Sequence, residues 1–161
     1  PIPSQMPNGL PPDVIDDLSI QNDELLYIRI YPDPDAIILD PTTGQYRPNS
    51  GNFKDRDGPL SVDLSSRCTP EETRDRDQSH PYHVAAFKAG AARKYGCKIV
   101  RDPLEATPTE PANPAHALLY GKSINGALTY KAQGRHIAKE EAWIVLRNDG
   151  ASLTPQGTDK T

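Results

Sequence analysis

The four histidines are the side chains of this sequence best suited to acid–base chemistry near neutral pH. His83 immediately precedes an alanine-rich segment, and His116 follows the turn-forming sequence Asn-Pro-Ala. One imidazole can remove a proton and the other can return it, while an arginine stabilises the developing charge. We therefore take His83, His116 and Arg29 as candidate catalytic residues for metal-independent cleavage of a phosphodiester.

The two other histidines and a nearby lysine are weaker candidates. His80 precedes a proline in a polar stretch, and His136 lies among charged residues, so both are expected to be exposed. Lys122 could also assist His116, but six residues of straight strand would separate them by about 20 Å. Arg29 is therefore the better cation for His116.

The short segments that contain the two candidate histidines resemble a known pattern. "HVA" at His83 and "HAL" at His116 are similar to the paired His-x-Thr/Ser repeats of two-histidine phosphoesterases. Both segments lack the hydroxyl residue of that repeat. The resemblance implies a phosphodiester as substrate, and it covers only these few residues.

A second pattern places an arginine on the first predicted strand and a serine on the third. Arg29 and Ser61 in these positions resemble the arginine–serine–glutamate layout of ADP-ribosyltransferases. The chain departs from that layout because no glutamate falls in a predicted strand, and Glu140 and Glu141 fall in a predicted helix. A divergent ADP-ribosyltransferase-like domain is therefore an alternative, and no family is assigned.

Motifs for metals, covalent nucleophiles and phosphate loops are missing from the sequence. Cys68, His80, His83 and Cys97 lie within thirty residues, but they form no Cys-x-x-Cys pair, and Cys97 follows a predicted helix. Two single cysteines are more typical of small buried apolar residues. There is no Gly-x-Ser-x-Gly elbow and no complete phosphate-binding loop. We predict neither a metal nor another cofactor.

Alternating apolar residues predict the strands that would hold these side chains. In "ELLYIRIYP", Leu26, Ile28 and Ile30 share one face, and Pro32 ends the pattern. Further strands are predicted by the segments "DAIILD", "PLSVDLSS", "CKIVRDP" and "AHALLYGK".

Three helices are predicted between and after these strands. Thr69, Pro70 and Glu72 form a helix start with a capping box. The segment 82–95 is rich in alanine and has an apolar stripe that predicts a longer helix, which would pack on the face formed by Leu26 and its neighbours. A last helix is predicted over 135–146.

The length of 161 residues and the 17 prolines favour one modest domain with long loops. We predict a single α+β domain over 23–147, with a mixed or mostly antiparallel sheet, two or three helices packed on it, and proline-rich loops. Residues 1–22 are predicted to form a proline-rich arm, and 148–161 a flexible tail.

The composition leaves the function open between two classes. The net charge of −4 comes from intermixed charges, which gives no strong nucleic-acid signal. No apolar run approaches the roughly 20 residues that cross a bilayer, and the first residues carry no secretory signal, so a cytoplasmic protein is expected. The first hypothesis is a small soluble binding or interaction module with a protein partner, such as an accessory protein of a bacterial operon. The alternative is an enzyme acting on a nucleotide or an RNA phosphodiester. A small nucleotide ligand is compatible with both hypotheses.

Overall fold

An antiparallel sheet organises the computed structural model, which describes residues 13–54 and 56–149. Within these residues, the strands and α-helices are β1 (Leu25–Ile30), β2 (Ile37–Leu39), β3 (Tyr46–Pro48), β4 (Leu60–Leu64), α1 (Pro70–Asp75), β5 (His83–Lys88), α2 (Ala89–Lys94), β6 (Lys98–Arg101), β7 (His116–Tyr120) and β8 (Trp143–Leu146). Shorter turns of helix are a 3-10 segment at Ser50–Phe53 and π-helical segments at Tyr130–Gly134 and Ile137–Glu141.

Six of the strands form one sheet in the order β6-β7-β4-β1-β5-β8, and β2 pairs with β3 in a separate hairpin. Every pairing in the large sheet is antiparallel. Tyr27 on β1 lies opposite Asp63 on β4, and Asp63 lies opposite His116 on β7. The predicted α+β domain with a mostly antiparallel sheet is therefore confirmed.

The two faces of the sheet differ in what they carry. The inner face presents Leu26, Ile28 and Ile30 to the main core, as predicted, and Phe87 meets Phe53 edge to face at 6.3 Å. The β2–β3 hairpin, α2 and the π-helical segments supply the other side of that core.

The outer face of the sheet is more polar. It carries the alternate residues Tyr27, Arg29, Ser61, Asp63 and His116, because successive side chains of a strand point to opposite faces. Helix α1 packs over one part of this face, against β1, β5 and β8. The rest of the outer face stays open to a cavity.

The helix predicted over 82–95 is wrong in its first half. Residues His83–Lys88 form β5, and only Ala89–Lys94 are helical. Alanine favours helices, but β5 lies between β1 and β8 and is buried on both faces, so ladder hydrogen bonds and packing outweigh the local propensity. Gly96 follows α2 with a φ of +88°, as a C-terminal glycine requires.

The helix predicted over 135–146 is also wrong in its second half. Its first part contains the π-helical segment Ile137–Glu141, but Trp143–Leu146 form the edge strand β8 on β5. A spacing of apolar residues over so few positions is compatible with a helix or a strand. The segment forms a strand because it can pair with the edge of β5 that β1 does not occupy.

Local signals at the other elements are confirmed. The Thr69 side chain accepts from the Glu72 N–H, and the Glu72 side chain accepts from the Thr69 N–H, which completes the predicted capping box at α1.

In the predicted arm, Asp16 pairs with Arg93 at 2.8 Å and so fastens this part of the arm to the domain. The rest of the arm, residues 1–12, and the predicted tail from 150 onward lie outside the described residues. No helix within the described ranges has the length and apolar character needed to cross a membrane.

The turn after β7 offers a test of the packing that holds this strand. A Cβ on Gly121 would clash with the Cα of Leu128 and the carbonyl oxygen of Ala127. Gly121→Ala should therefore lower the free energy of unfolding by about 1–3 kcal/mol, as measured by urea denaturation. The control is Gly58→Ala, whose Cβ would come no closer than 3.7 Å to a neighbour. Equal stabilities of the two variants would contradict this packing.

Candidate functional site

The outer face of the sheet carries a cavity with a volume of about 620 Å³. This volume falls within the range of about 300–1,000 Å³ that is usual for small-molecule sites. Strands β1, β4 and β7 form its floor, α1 and the turn after it form one wall, and the loop 102–115 forms the opposite wall. We call this cavity the outer cleft.

Arg29 and Ser61 both line the outer cleft, Arg29 from β1 and Ser61 from β4. The two strands pair at Leu26 with Leu64 and at Tyr27 with Asp63, and Arg29 and Ser61 lie beyond these pairs. The Arg29 Nη1 donates to the carbonyl oxygen of Thr73 in α1 at 3.2 Å. The two residues of the predicted arginine–serine pattern thus line the same cavity.

Asp63 is the buried centre of the site. It is only 5% exposed, and its carboxylate accepts hydrogen bonds from the Thr73 hydroxyl at 2.8 Å, the Arg76 Nε at 3.2 Å and the Asn113 Nδ2 at 3.0 Å. Three donors satisfy a carboxylate that would otherwise be costly to bury. Through them, one side chain of the floor fastens both walls of the outer cleft.

The loop 102–115 is closed at its base by paired backbone bonds. Leu104 and Asn113 donate to each other's carbonyl oxygens at 3.0 and 2.8 Å. The Asn113 side chain also accepts from the N–H of Ala115 at 3.1 Å, while donating to Asp63. Although most of its side chains are exposed, the loop is therefore fixed where it meets the sheet.

His116 lies at the junction of this loop and β7. Its Nδ1 is 2.9 Å from the backbone carbonyl oxygen of Asp102 and 3.1 Å from the Asp102 carboxylate. A carbonyl oxygen can only accept, so Nδ1 carries the proton and Nε2 is the nitrogen left for other partners. No hydrogen bond to Nε2 is found among the described residues. The imidazole is largely buried, with 11% of the side chain exposed, lines the outer cleft, and is held in one orientation.

Carboxylates line the outer cleft as well as arginines. Asp77 accepts from the N–H and hydroxyl of Ser79 and from the Tyr82 hydroxyl, and these bonds lower its pKa to about 2. Glu105 and Glu110 are on the exposed part of the loop wall. The carboxylates nearest the floor are thus already occupied by donors of the protein.

An aromatic cluster forms one end of the outer cleft. Tyr31 is 47% exposed. The centroid of its ring lies 4.7 Å from the centroid of the His80 ring and 6.4 Å from that of the Tyr82 ring. The Arg29 guanidinium lies 5.4 Å from the Tyr82 ring centroid, within range of a cation–π contact. Tyr31 and Tyr82 line the cavity, whereas His80 supports them from outside it.

The structure does not bring His83 and His116 together. His83 pairs with Ile30 and so lies on the inner side, while His116 pairs with Asp63 on the outer face. Strands β1 and β4 lie between their strands, which puts the backbones three spacings, or about 14 Å, apart. His83 Nδ1 accepts from the Asn148 N–H at 2.9 Å, which is a structural contact.

Other sequence candidates also lie away from the outer cleft. Lys122 packs its side chain against Gly96, beyond the far end of β7. Cys68 and Cys97 are free and buried, and burial raises the pKa of the Cys97 thiol to about 12. Over residues 13–54 and 56–149, no three His, Cys, Asp or Glu side chains are grouped closely enough to hold a metal ion.

Sequence reasoning missed several residues of the site. Arg56, Arg76, Tyr31 and Tyr82 line the cavity without having been candidates, and Asp63 was not a candidate either. The alternation in "LSVDL" puts Asp63 on the face opposite Leu60, Val62 and Leu64, but its burial comes from α1 and the loop. No local pattern indicates those long-range contacts.

The buried state of His83 predicts a pH dependence of stability. Burial, followed by the positive charge of Arg147, lowers the pKa of His83 from its ordinary 6.5. The neutral form is favoured on folding, so this stability is present above pH 6.5 and is lost as the pH falls towards the lowered value. Urea unfolding between pH 7.5 and 5 should show this loss in the wild type and in His136→Gln. The free energy of unfolding should fall less steeply with decreasing pH in His83→Gln. An equal pH dependence in all three proteins would contradict a contribution from buried His83.

Comparisons with protein-family models, curated proteins and solved structures find no match to this chain. A function for the outer cleft must therefore be inferred from its own residues and their contacts.

Proposed function

We propose that this protein is a binding module that holds a small anionic ligand, of the phosphate-bearing class, in the outer cleft. The observation that carries the proposal is the convergence of Arg29, Arg56 and Arg76 on one cavity. Guanidinium groups present several N–H donors in a planar fork that matches phosphate oxygens. The expected protein partner and cytoplasmic location stay predictions.

The three arginines keep donors for a ligand. Arg76 uses Nε for Asp63, and within residues 13–54 and 56–149 neither Arg29 nor Arg56 forms an ion pair. Arg29 uses Nη1 for the Thr73 carbonyl, which fixes the guanidinium without neutralising its charge. An arginine fixed in this way loses little conformational freedom when it binds an anion.

The occupied carboxylates support the same inference. The oxygens of Asp63 and Asp77 accept from donors of the protein and, apart from the Arg76 Nε, take none of the arginine N–H groups that a ligand would need. Ser61 adds an exposed hydroxyl to the lining of the cavity, and His116 adds a ring nitrogen. A phosphate at the floor would thus meet both charged and neutral hydrogen-bonding groups.

Replacement of Arg29 tests this site. Titration calorimetry with pyrophosphate should show binding to the wild type, and Arg29→Gln should weaken it at least about ten-fold, since a hydrogen bond to a charged group contributes about 1.5–3 kcal/mol. The affinity of Arg29→Lys for pyrophosphate should lie between those of the wild type and Arg29→Gln, because lysine keeps the charge but lacks the planar fork of N–H donors.

The control for Arg29 is Arg67→Gln, an exposed arginine outside the cleft lining. It removes the same charge from the protein and should leave the affinity unchanged at physiological salt. Equal losses in Arg29→Gln and Arg67→Gln, or no pyrophosphate binding to the wild type at millimolar concentration, would overturn the proposal.

A second candidate function is cleavage of an RNA phosphodiester by His116 with Arg29. The specific observation in its favour is that Asp102 holds the Nδ1 side of the imidazole, which leaves Nε2 as a proton acceptor. In such a reaction the 2′-oxygen attacks phosphorus and gives its proton to Nε2. The 5′-oxygen leaves and takes a proton from water, so that a 2′,3′-cyclic phosphate forms. His83 has no part in this reaction.

His116→Asn is the sharpest variant for this second function. The asparagine amide can still donate to the Asp102 carbonyl, but no ring base remains, so kcat should fall by about 10²–10⁴-fold. Cleavage of the dinucleotide UpA, followed by chromatography of the cyclic product, measures the rate. His136→Asn should keep the wild-type rate. Cleavage by His116→Asn at the wild-type rate would exclude His116 as the base.

A further inference from the structure

We infer that the anion held in the outer cleft is the phosphate of a nucleotide, and that Tyr31 and Tyr82 bind its base. This inference rests on the proposed anion site and names the ligand class that the same cleft accepts. It depends on the position, exposure and support of the two tyrosine rings.

The exposure of Tyr31 is the first observation. Large apolar and aromatic side chains with about half of their surface exposed are few in the described chain, and two of them, Tyr31 and Leu104, line the outer cleft at 47% and 45% exposure. They extend from different walls, β1 and the loop. An aromatic ring that is open to a cavity offers its surface to a planar ligand, because stacking accepts any base.

The second observation is that the rings are held in place. The Tyr82 hydroxyl donates to Asp77 at 2.8 Å, and His80 packs against both tyrosines with centroid distances of 4.7 and 5.8 Å. The His80 Nδ1 in turn lies 3.0 Å from the Ser79 hydroxyl. A ring that is fixed before binding costs less entropy when a base stacks on it.

The third observation is the distance from the rings to the anion site. Tyr31 lies two positions after Arg29 and directly follows the last residue of β1, and two residues of extended chain span about 6.6 Å. The Arg29 guanidinium also lies 5.4 Å from the Tyr82 ring. In a nucleotide one ribose joins the base to the 5′-phosphate, a span of the same order. One ligand can therefore contact the tyrosine rings and the arginines together.

Paired titrations of ADP and pyrophosphate against the full chain test the inference. Both probes carry a diphosphate, and only ADP carries a nucleoside. The wild type should bind ADP about ten- to hundred-fold more tightly than pyrophosphate, which is the ratio that base–aromatic stacking supplies. Tyr31→Leu should reduce that ratio towards one without changing the affinity for pyrophosphate, and Tyr31→Phe should retain it.

The outcomes separate the two proposals. Equal affinities of the wild type for ADP and pyrophosphate would overturn the base site and leave the anion site standing. Binding of adenosine without binding of pyrophosphate would overturn the anion site and support the base site. Absence of binding for all three probes would overturn both. A melting curve of each variant checks that Tyr31→Leu remains folded.

Discussion

The buried carboxylate of Asp63 is the contact on which the shape of the outer cleft depends. It lies on the central strand β4, next to β1 and β7, and it is bonded to Thr73 and Arg76 on one side and to Asn113 on the other. A buried carboxylate must keep its donors, because loss of one leaves a charge without compensation. The two walls are therefore fixed to the floor by the same group.

This arrangement also determines the electrostatics of the cleft. Asp63 takes one donor of Arg76, and the Thr73 carbonyl takes one donor of Arg29, so both guanidiniums are positioned while most of their N–H groups stay available. Asp77 meanwhile directs its oxygens at Ser79 and Tyr82. A chain that is acidic overall thus presents arginine donors at one defined place, which the net charge of −4 does not indicate.

Local sequence signals predicted the parts of the fold that local physics decides. The alternation in β1 and β4 and the capping box at Thr69 each depend on residues close in sequence, and the structure has them. The segment from His83 to Lys88 is different, because its alanines favour a helix until the edges of β1 and β8 become available. That competition depends on strands far away in the chain.

The candidate site also has features that could be predicted from the sequence and features that could not. Arg29, Ser61 and His116 could be chosen from the sequence by residue type and by their places on predicted strands. The burial of Asp63 could not, and neither could the meeting of Tyr31 with Tyr82 or the distance between His83 and His116. Each of these follows from strand order and from the loop that crosses the outer face, which a single sequence does not state.

Anion binding on the outer face of the sheet is tested most directly by an amide NMR titration of the ¹⁵N-labelled chain with pyrophosphate. Saturable shifts are expected at Arg29, Ser61 and His116, and little change at inner-face residues outside the cavity lining, such as Phe87. Shifts confined to residues outside the outer cleft, or no shifts at millimolar pyrophosphate, would contradict it.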